Sequence, residues 1–364
     1  MGFLPGLELC RRFYWEAVRP ILDRRWPNLP HAAALIGDGS EVLGFDDEMS
    51  SDHHWGPRVL LFLKDEDRAR LGESIHTAFA EQLPYEFLGY STNFSQPNPE
   101  DNGTQLLTSI DRGPVNHRVV VTTVRGFFKA HLGFDIEEPL TPADWLSFSE
   151  QKLLTATAGA VYHDVIGLKA ERARFAYYPR DVWLYLLAAD WTRIGQEEHL
   201  MGRAGVAGDE IGSALICGRL IRTAMHLGFL MERVYAPYSK WYGTAFSQLA
   251  CADIFVPSMR RALTAETWQA REENLVDIYE ALARMHNELG LTEPMPERVT
   301  SFFGRPFRVM ALHGFADALV AQIRDLDVRR IAARPLIGSI EQFSDCVDLV
   351  SDVSWRPRLR DLYR

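Results

Sequence analysis

Gly39 and Ser40 close a short apolar run, Leu35-Ile36, and further on Ser51-Asp52-His53-His54-Trp55-Gly56-Pro57-Arg58 leads into a second, Val59-Leu60-Leu61-Phe62-Leu63. A Gly-Ser turn exposes backbone N–H groups that can cradle phosphate, and acidic and imidazole groups beside it can hold a divalent cation. Together they are the minimal equipment for phosphoryl or nucleotidyl transfer. On that chemistry Asp52 and His54 are the candidate catalytic and metal-ligating residues. Gly39 and Ser40 are the candidate phosphate turn, and Arg58 is a candidate for neutralising phosphate charge.

A second set of charges comes later in the chain. Arg219, Arg222, His226 and Arg233 fall at i, i+3, i+7 and i+14, one stripe of a helix. Such a stripe can meet a triphosphate, or it can pair with Glu197, Glu198 or Asp181 on neighbouring helices. Tyr238 and Lys240, just after Pro237, are further ligand candidates. The aromatic residues Trp183, Tyr185, Trp191, Tyr235, Trp241 and Tyr242 read as core packing.

The elements that must position these groups follow from periodicity. Leu9, Phe13, Ala17 and Ile21 recur four apart and place a helix over residues 7 to 26, ending before Pro27. Strands are expected at 32 to 36 and 55 to 63, and a helix at 65 to 82. A β-branched strand follows within 117 to 128, where Arg118-Val119-Val120-Val121-Thr122-Thr123-Val124 stands. Tyr85 to Tyr90 offers a further strand, and 93 to 113, rich in Asn, Pro, Gly and Asp, reads as loop. Beyond Pro142 helical patterns take over, at 143 to 168, 181 to 201, 209 to 235, 243 to 254, 264 to 289 and 306 to 330, and Asp209 stands where a helix cap belongs. The expected fold is therefore α+β, with a mixed-sheet α/β domain over residues 1–145 and an all-helical bundle over 146–364.

Composition narrows the function classes. At 364 residues the chain exceeds the ~250–300 at which a single core stops growing. A net charge of −10 argues against bulk nucleic-acid binding, which needs a concentrated basic surface, although a local basic site stays open. Cys10, Cys217, Cys251 and Cys346 are far apart, which suits reduced thiols in a cytoplasm. No apolar run approaches the ~20 residues that span a bilayer, and the first residues do not form a signal peptide. The expectation is a soluble, cytoplasmic protein with no membrane partner and an undetermined oligomeric state.

The conjunction of strand, Gly39-Ser40 turn, connection, Asp52-His53-His54 and strand resembles the signature of the nucleotidyltransferase superfamily, the group with a polymerase-β-like fold. In that family the Gly-Ser turn holds the nucleotide's phosphates, and two carboxylates flanking a spacer hold the Mg²⁺ that bridges them. The resemblance implies Gly39 and Ser40 on phosphate, and Asp52 and His54 on Mg²⁺ or Mn²⁺ with an NTP as donor. His54 departs from the family pattern, because imidazole suits Mn²⁺, Zn²⁺ or Fe²⁺ better than Mg²⁺. The third carboxylate usual on a later strand is absent from Val119 to Val124, which makes Asp46, Asp47 and Glu48 the place to look for it.

More narrowly, residues 39–58 look like an uncharacterised bacterial family of unknown function assigned to this superfamily. The likeness continues in Tyr178-Pro179-Arg180-Asp181-Val182-Trp183, Gly202-Arg203-Ala204-Gly205 and Tyr238-Ser239-Lys240-Trp241. In relatives that modify antibiotics, a helical domain closes over the acceptor and supplies a carboxylate base. By that resemblance Glu210, Glu197, Glu198 or Glu232 would be the base, and Arg219, Arg222 and Lys240 would join Arg58 in holding the nucleotide. The implied function is metal-dependent transfer of a nucleoside monophosphate from an NTP to a small-molecule or protein hydroxyl, with the cleft between the two domains.

Three readings compete with it. One is a catalytically degenerate relative that binds a nucleotide or metabolite. Another is a transition-metal enzyme using Asp52, His53, His54 and His117. The third is a helical ribonuclease using Arg219 and His226.

Overall fold

Leu9, Phe13, Ala17 and Ile21 face one way along a continuous N-terminal helix because their four-residue spacing keeps them on one side. In the computed structural model, which describes residues 3–52, 54–101 and 103–364 apart from the side chains of Ser51 and Asp52, that helix runs through Gly6–Phe13, a π-helical turn Tyr14–Val18, and Arg19–Arg25. It packs on one face of a four-stranded sheet. The strands are β1 (His31–Leu35), β2 (Arg58–Leu63), β3 (Arg118–Thr123) and β4 (Ala160–Asp164), in the spatial order β3-β2-β1-β4.

The sheet is mixed. β1 runs antiparallel to β2, with Ala34 opposite Leu60, and antiparallel to β4, with Leu35 opposite Ala160. β2 and β3 are parallel, with Arg58 opposite Arg118. Alternate residues bury on opposite faces. Ala33, Val59, Leu61 and Leu63 join Phe13, Val18, Ile75 and Phe79 on one side. Ala32, Ala34 and Phe62 join Ile36 and Leu168 on the other. Ile75 and Phe79 come from helix α1 (Asp65–Gln82).

The chain divides into two compact units. Unit 1 comprises residues 1–139 and 152–176, and unit 2 comprises 140–151 and 177–364. The chain therefore crosses between units three times, where the composition shift at 145/146 points to a single division. The difference comes from residues 143 to 168, expected as one helix. They form a short helix Pro142–Ser147, helix α3 (Glu150–Thr157), and then β4, which completes the sheet of unit 1. Gly159, at φ +72, ends the helical run, because only glycine takes that backbone angle without strain.

Strand β3 is also shorter than its β-branched run. At Val124 the chain turns into helix α2 (Val124–Leu132), capped by the Thr123 hydroxyl, which accepts from Gly126 N–H at 3.0 Å.

Unit 2 is built on α4 (Arg180–Val206), α5 (Glu210–Met231), α6 (Ala252–Thr264) and α7 (Trp268–Glu288). Asp209 caps α5 as expected, accepting from Gly212 N–H at 2.7 Å. The unit is not purely helical: Thr300–Ser301 pairs antiparallel with Arg308–Val309. Residues 306 to 330, expected as one helix, are instead this strand, a 3-10 turn Ala311–His313, and short helices Phe315–Val320 and Leu326–Ala332. Gly314, at φ +84, breaks the run. The expected helix 243 to 254 is likewise two pieces, Tyr242–Phe246 and the start of α6. Helix α5 is long and apolar enough by composition to cross a membrane, but 61% of its most apolar window is buried.

Candidate functional site

The strand directions bring four chain segments to one end of the sheet: the exit of β1 and the entries of β2, β3 and β4. The exit of β1 carries Asp38, Gly39 and Ser40, and the entries of β2 and β3 carry Arg58 and Arg118. The Gly-Ser turn and two guanidiniums are thus assembled by sheet topology alone.

Arg58 is held in place from two sides. Its Nε donates to Glu41 Oε1 at 2.8 Å and its Nη2 to the carbonyl of Asp38 at 2.5 Å. Glu41, only 2% exposed, opens the second position of a 3-10 turn Ser40–Leu43. Gly39 sits at φ +136, and a Cβ there would lie 2.2 Å from Arg58 Nη2 and 2.6 Å from Glu41 Oε2. The glycine that the spacing marks as a phosphate turn is thereby also the space into which the Arg58–Glu41 pair fits.

Arg118 has a different set of partners. Its Nη1 donates to Gln105 Oε1 at 2.9 Å and to His54 Nδ1 at 3.0 Å, and its guanidinium lies 5.6 Å from the Phe94 ring. None of these is an anion, and among the described residues no carboxylate lies within ion-pair distance of Arg118. Burial and the charge of Arg58 both push Arg118 below the ordinary guanidinium range, with Glu41 opposing them. A half-buried cation whose partners are all neutral marks a place for an anion.

His54 is pinned in the left-handed region at φ +52, its backbone N–H donating to Gln105 carbonyl at 3.0 Å. A guanidinium can only donate. Its bond to His54 Nδ1 takes that lone pair. That nitrogen therefore offers no lone pair to a cation. His54 Nδ1, expected as a metal ligand, is bonded to Arg118 here. Asp52, the other expected ligand, has its backbone in a 3-10 turn Glu48–Asp52 while its side chain, like His53 as a whole, lies outside the described residues.

The neighbouring acids are committed elsewhere. Asp46 Oδ2 accepts from Gly6 N–H at 2.7 Å and from Trp55 Nε1 at 3.1 Å, and Asp47 accepts from Ser50 N–H at 3.0 Å. His117 is 7% exposed. Its Nδ1 accepts from Val119 N–H at 3.1 Å and its Nε2 lies 3.0 Å from His76 carbonyl, so both nitrogens are used. Among the described residues no group of three or more His, Cys, Asp or Glu is placed to hold a metal ion.

In unit 2 the arginine stripe is split. Arg219 pairs with Glu197 at 2.8 Å, Arg222 lies 5.9 Å from the Tyr242 ring, and Arg233 stands beyond the helix at φ +58 against Tyr177 and Trp183. Lys240 lies 4.9 Å from the Trp241 ring. The four glutamates read as possible bases all have structural partners. Glu210 accepts from Arg271 and from Trp268 N–H, and Glu232 accepts from the N–H groups of Ala250 and Cys251 before α6. Glu198 accepts from the N–H groups of Met310 and Ala311, and Glu197 holds Arg219. Glu210, expected as a base, thereby anchors α7 to α5.

His226 belongs to a buried network that spacing does not reveal. Its Nδ1 lies 2.6 Å from Asp190 Oδ2 and its Nε2 3.2 Å from Glu150 Oε2. Glu150 also accepts from the Tyr178 hydroxyl at 2.9 Å and from Ala236 N–H at 3.2 Å, and its own N–H donates to Glu341 at 2.7 Å. Burial opposes charge on His226, but the two carboxylates outweigh it and hold the imidazolium well above the ordinary histidine range. Asp190 and His226 each stand alone in an apolar run, Leu186-Leu187-Ala188-Ala189 before one and Leu227-Gly228-Phe229-Leu230 after the other. An isolated charge in such a run needs a buried partner, and that was the available signal. The network links helices α3, α4 and α5.

A family model described as a domain of unknown function (DUF4037) matches residues 145–242, a span that contains Glu150, Tyr178, Asp190 and His226. No curated protein and no solved structure matches the chain.

Proposed function

We propose that the sheet end of unit 1 binds the phosphates of a nucleoside triphosphate, and that the protein is a transferase moving the nucleoside monophosphate to a hydroxyl of a small molecule or protein. The observation that carries this reading is Arg118, a half-buried guanidinium with only neutral partners, beside the Gly39-Ser40 turn. Arg118 would take a phosphate oxygen in a charge-assisted bond. Arg58, its charge matched by Glu41, would shape the turn. Such catalysis rests on positioning and charge stabilisation. The mixed sheet with its antiparallel β1–β2 pair supports a nucleotidyltransferase-like arrangement of unit 1. The free cysteines support a cytoplasmic setting.

Asp52, whose side chain lies outside the described residues, is the residue through which a divalent cation would enter. The test is release of pyrophosphate and labelling of an acceptor pool with α-phosphate-labelled NTPs, run with Mg²⁺, with Mn²⁺ and with chelator. Transfer lost in Asp52→Ala supports the transferase. Binding without transfer under all three conditions selects the second reading, a nucleotide-binding relative without catalysis, which the Arg118–His54 bond favours.

A further inference from the structure

Helix α4 places Trp191, Gly195 and Glu198 at i, i+4 and i+7, one stripe of its surface. Beside this stripe unit 2 holds a cavity of about 240 Å³, whose other walls include Phe302, Ala311 and Asp317. Each wall is fixed. The Trp191 ring stacks on Phe315 at 4.3 Å and the Phe302 ring on His199 at 4.1 Å. Gly195 lets the turn Ala311–His313 close in, because a Cβ there would lie 2.9 Å from that of Ala311.

The polarity of the lining is one-sided. It carries two carboxylates, Glu198 and Asp317, and no lysine, arginine or histidine. Arg305 lies 5.4 Å from the Phe302 ring but is not part of the lining. Glu198 is 4% exposed and held by two backbone N–H groups, from Met310 at 2.8 Å and Ala311 at 3.1 Å. No cationic side chain pairs with it or with Asp317 among the described residues. Burial outweighs those two bonds and pushes the Glu198 carboxyl up to about 7. A buried carboxylate without a counter-ion, lining a cavity together with Asp317, Trp191 and Phe302, has the chemistry that receives an ammonium group.

We propose that this cavity binds a small organic ammonium ion, with Glu198 and Asp317 as its counter-ions and Trp191 and Phe302 as its apolar walls. Its volume lies below the ~300–1,000 Å³ of drug-sized sites, which restricts the ligand to a short amine or amino alcohol. This site lies wholly within unit 2 and does not depend on the nucleotide reading of unit 1.

The test is calorimetric titration of the full chain, without nucleotide, using choline, ethylammonium and the uncharged tert-butyl isostere of choline. Saturable binding of a cation is expected, with the isostere failing to bind and Glu198→Gln and Asp317→Asn each weakening binding by about tenfold or more. Asp317 is exposed, so Asp317→Asn carries the test should Glu198→Gln fail to fold. Absence of binding by either cation, equal binding of the isostere, or wild-type affinity in folded Asp317→Asn would overturn the proposal.

Discussion

Arg118 donates to Nδ1 of His54 across 3.0 Å, and that bond decides what the imidazole can do. It occupies the Nδ1 lone pair and leaves Arg118 with neutral hydrogen-bond partners. His54→Asp would give Arg118 an anionic partner and cancel its charge. Binding of a metal-free NTP, measured by calorimetry in chelator, is expected to weaken by about tenfold or more. Unchanged affinity would mean that Arg118 does not meet the phosphates.

Gly39 is tested through stability. Alanine there meets both an unfavourable φ of +136 and the Arg58 guanidinium. Gly39→Ala is expected to destabilise unit 1 by about 1–3 kcal/mol from backbone strain alone, and by more if the Arg58–Glu41 pair is displaced. Urea denaturation reads this directly. A variant as stable as wild type would show that the turn relaxes at no cost.

The buried network of unit 2 makes a separate prediction. His226→Ala removes the imidazolium between Asp190 and Glu150 and leaves two buried carboxylates facing the gap. A loss of about 3–5 kcal/mol is expected. Adding Asp190→Asn to that variant should recover part of it, since an amide needs no counter-ion. Equal stability of the single and double variants would argue against a charge-based role.

Stability should also depend on pH in a defined way. Burial raises Glu198 to about 7, and burial together with the charge of Glu150 raises Glu341 to about 8, from an unfolded value of 4.5. Their contribution is full below 4.5 and is lost as pH rises through 7 and 8. Burial lowers His117 and His286 to about 4 from 6.5, so their contribution is full above 6.5 and is lost as pH falls toward 4. The two trends oppose each other between 4.5 and 6.5 and act alone outside it. Glu341→Gln keeps the acceptor for Glu150 N–H and is expected to flatten the fall in melting temperature between 6.5 and about pH 9. An unchanged alkaline slope would place the titration elsewhere.

Local patterns carried much of this architecture. The four-residue repeat of Leu9, Phe13, Ala17 and Ile21, the β-branched run at Arg118–Thr123 and the Asp209 cap each decide their element without help from the rest of the chain. Strand β4 was hidden because Ala160–Asp164 is short, lies between helices and becomes a strand only by pairing with β1. The Gly39, Ser40 and Arg58 cluster was legible from spacing. In the sequence Arg118 reads only as a strand residue, since its place beside Arg58 follows from parallel β2–β3 register. The stripe of Arg219, Arg222, His226 and Arg233 lies on α5 except for Arg233. Arg219 takes the expected partner Glu197, while the partners of His226, Asp190 and Glu150, are not marked by spacing. Periodicity says which residues share a face and is silent on what that face meets.

The central claim is that Arg118 holds nucleotide phosphate, and a thermal-shift panel on wild type and Arg118→Gln tests it most directly. Each of the four NTPs would be run with Mg²⁺, with Mn²⁺ and with chelator. A nucleotide held at about a hundred times its dissociation constant should stabilise the fold by about 2.7 kcal/mol, a shift of several degrees. The account predicts such a shift for at least one NTP in the wild type and its loss in an Arg118→Gln protein that melts normally without ligand. No shift with any nucleotide, or the same shift in both proteins, would contradict it.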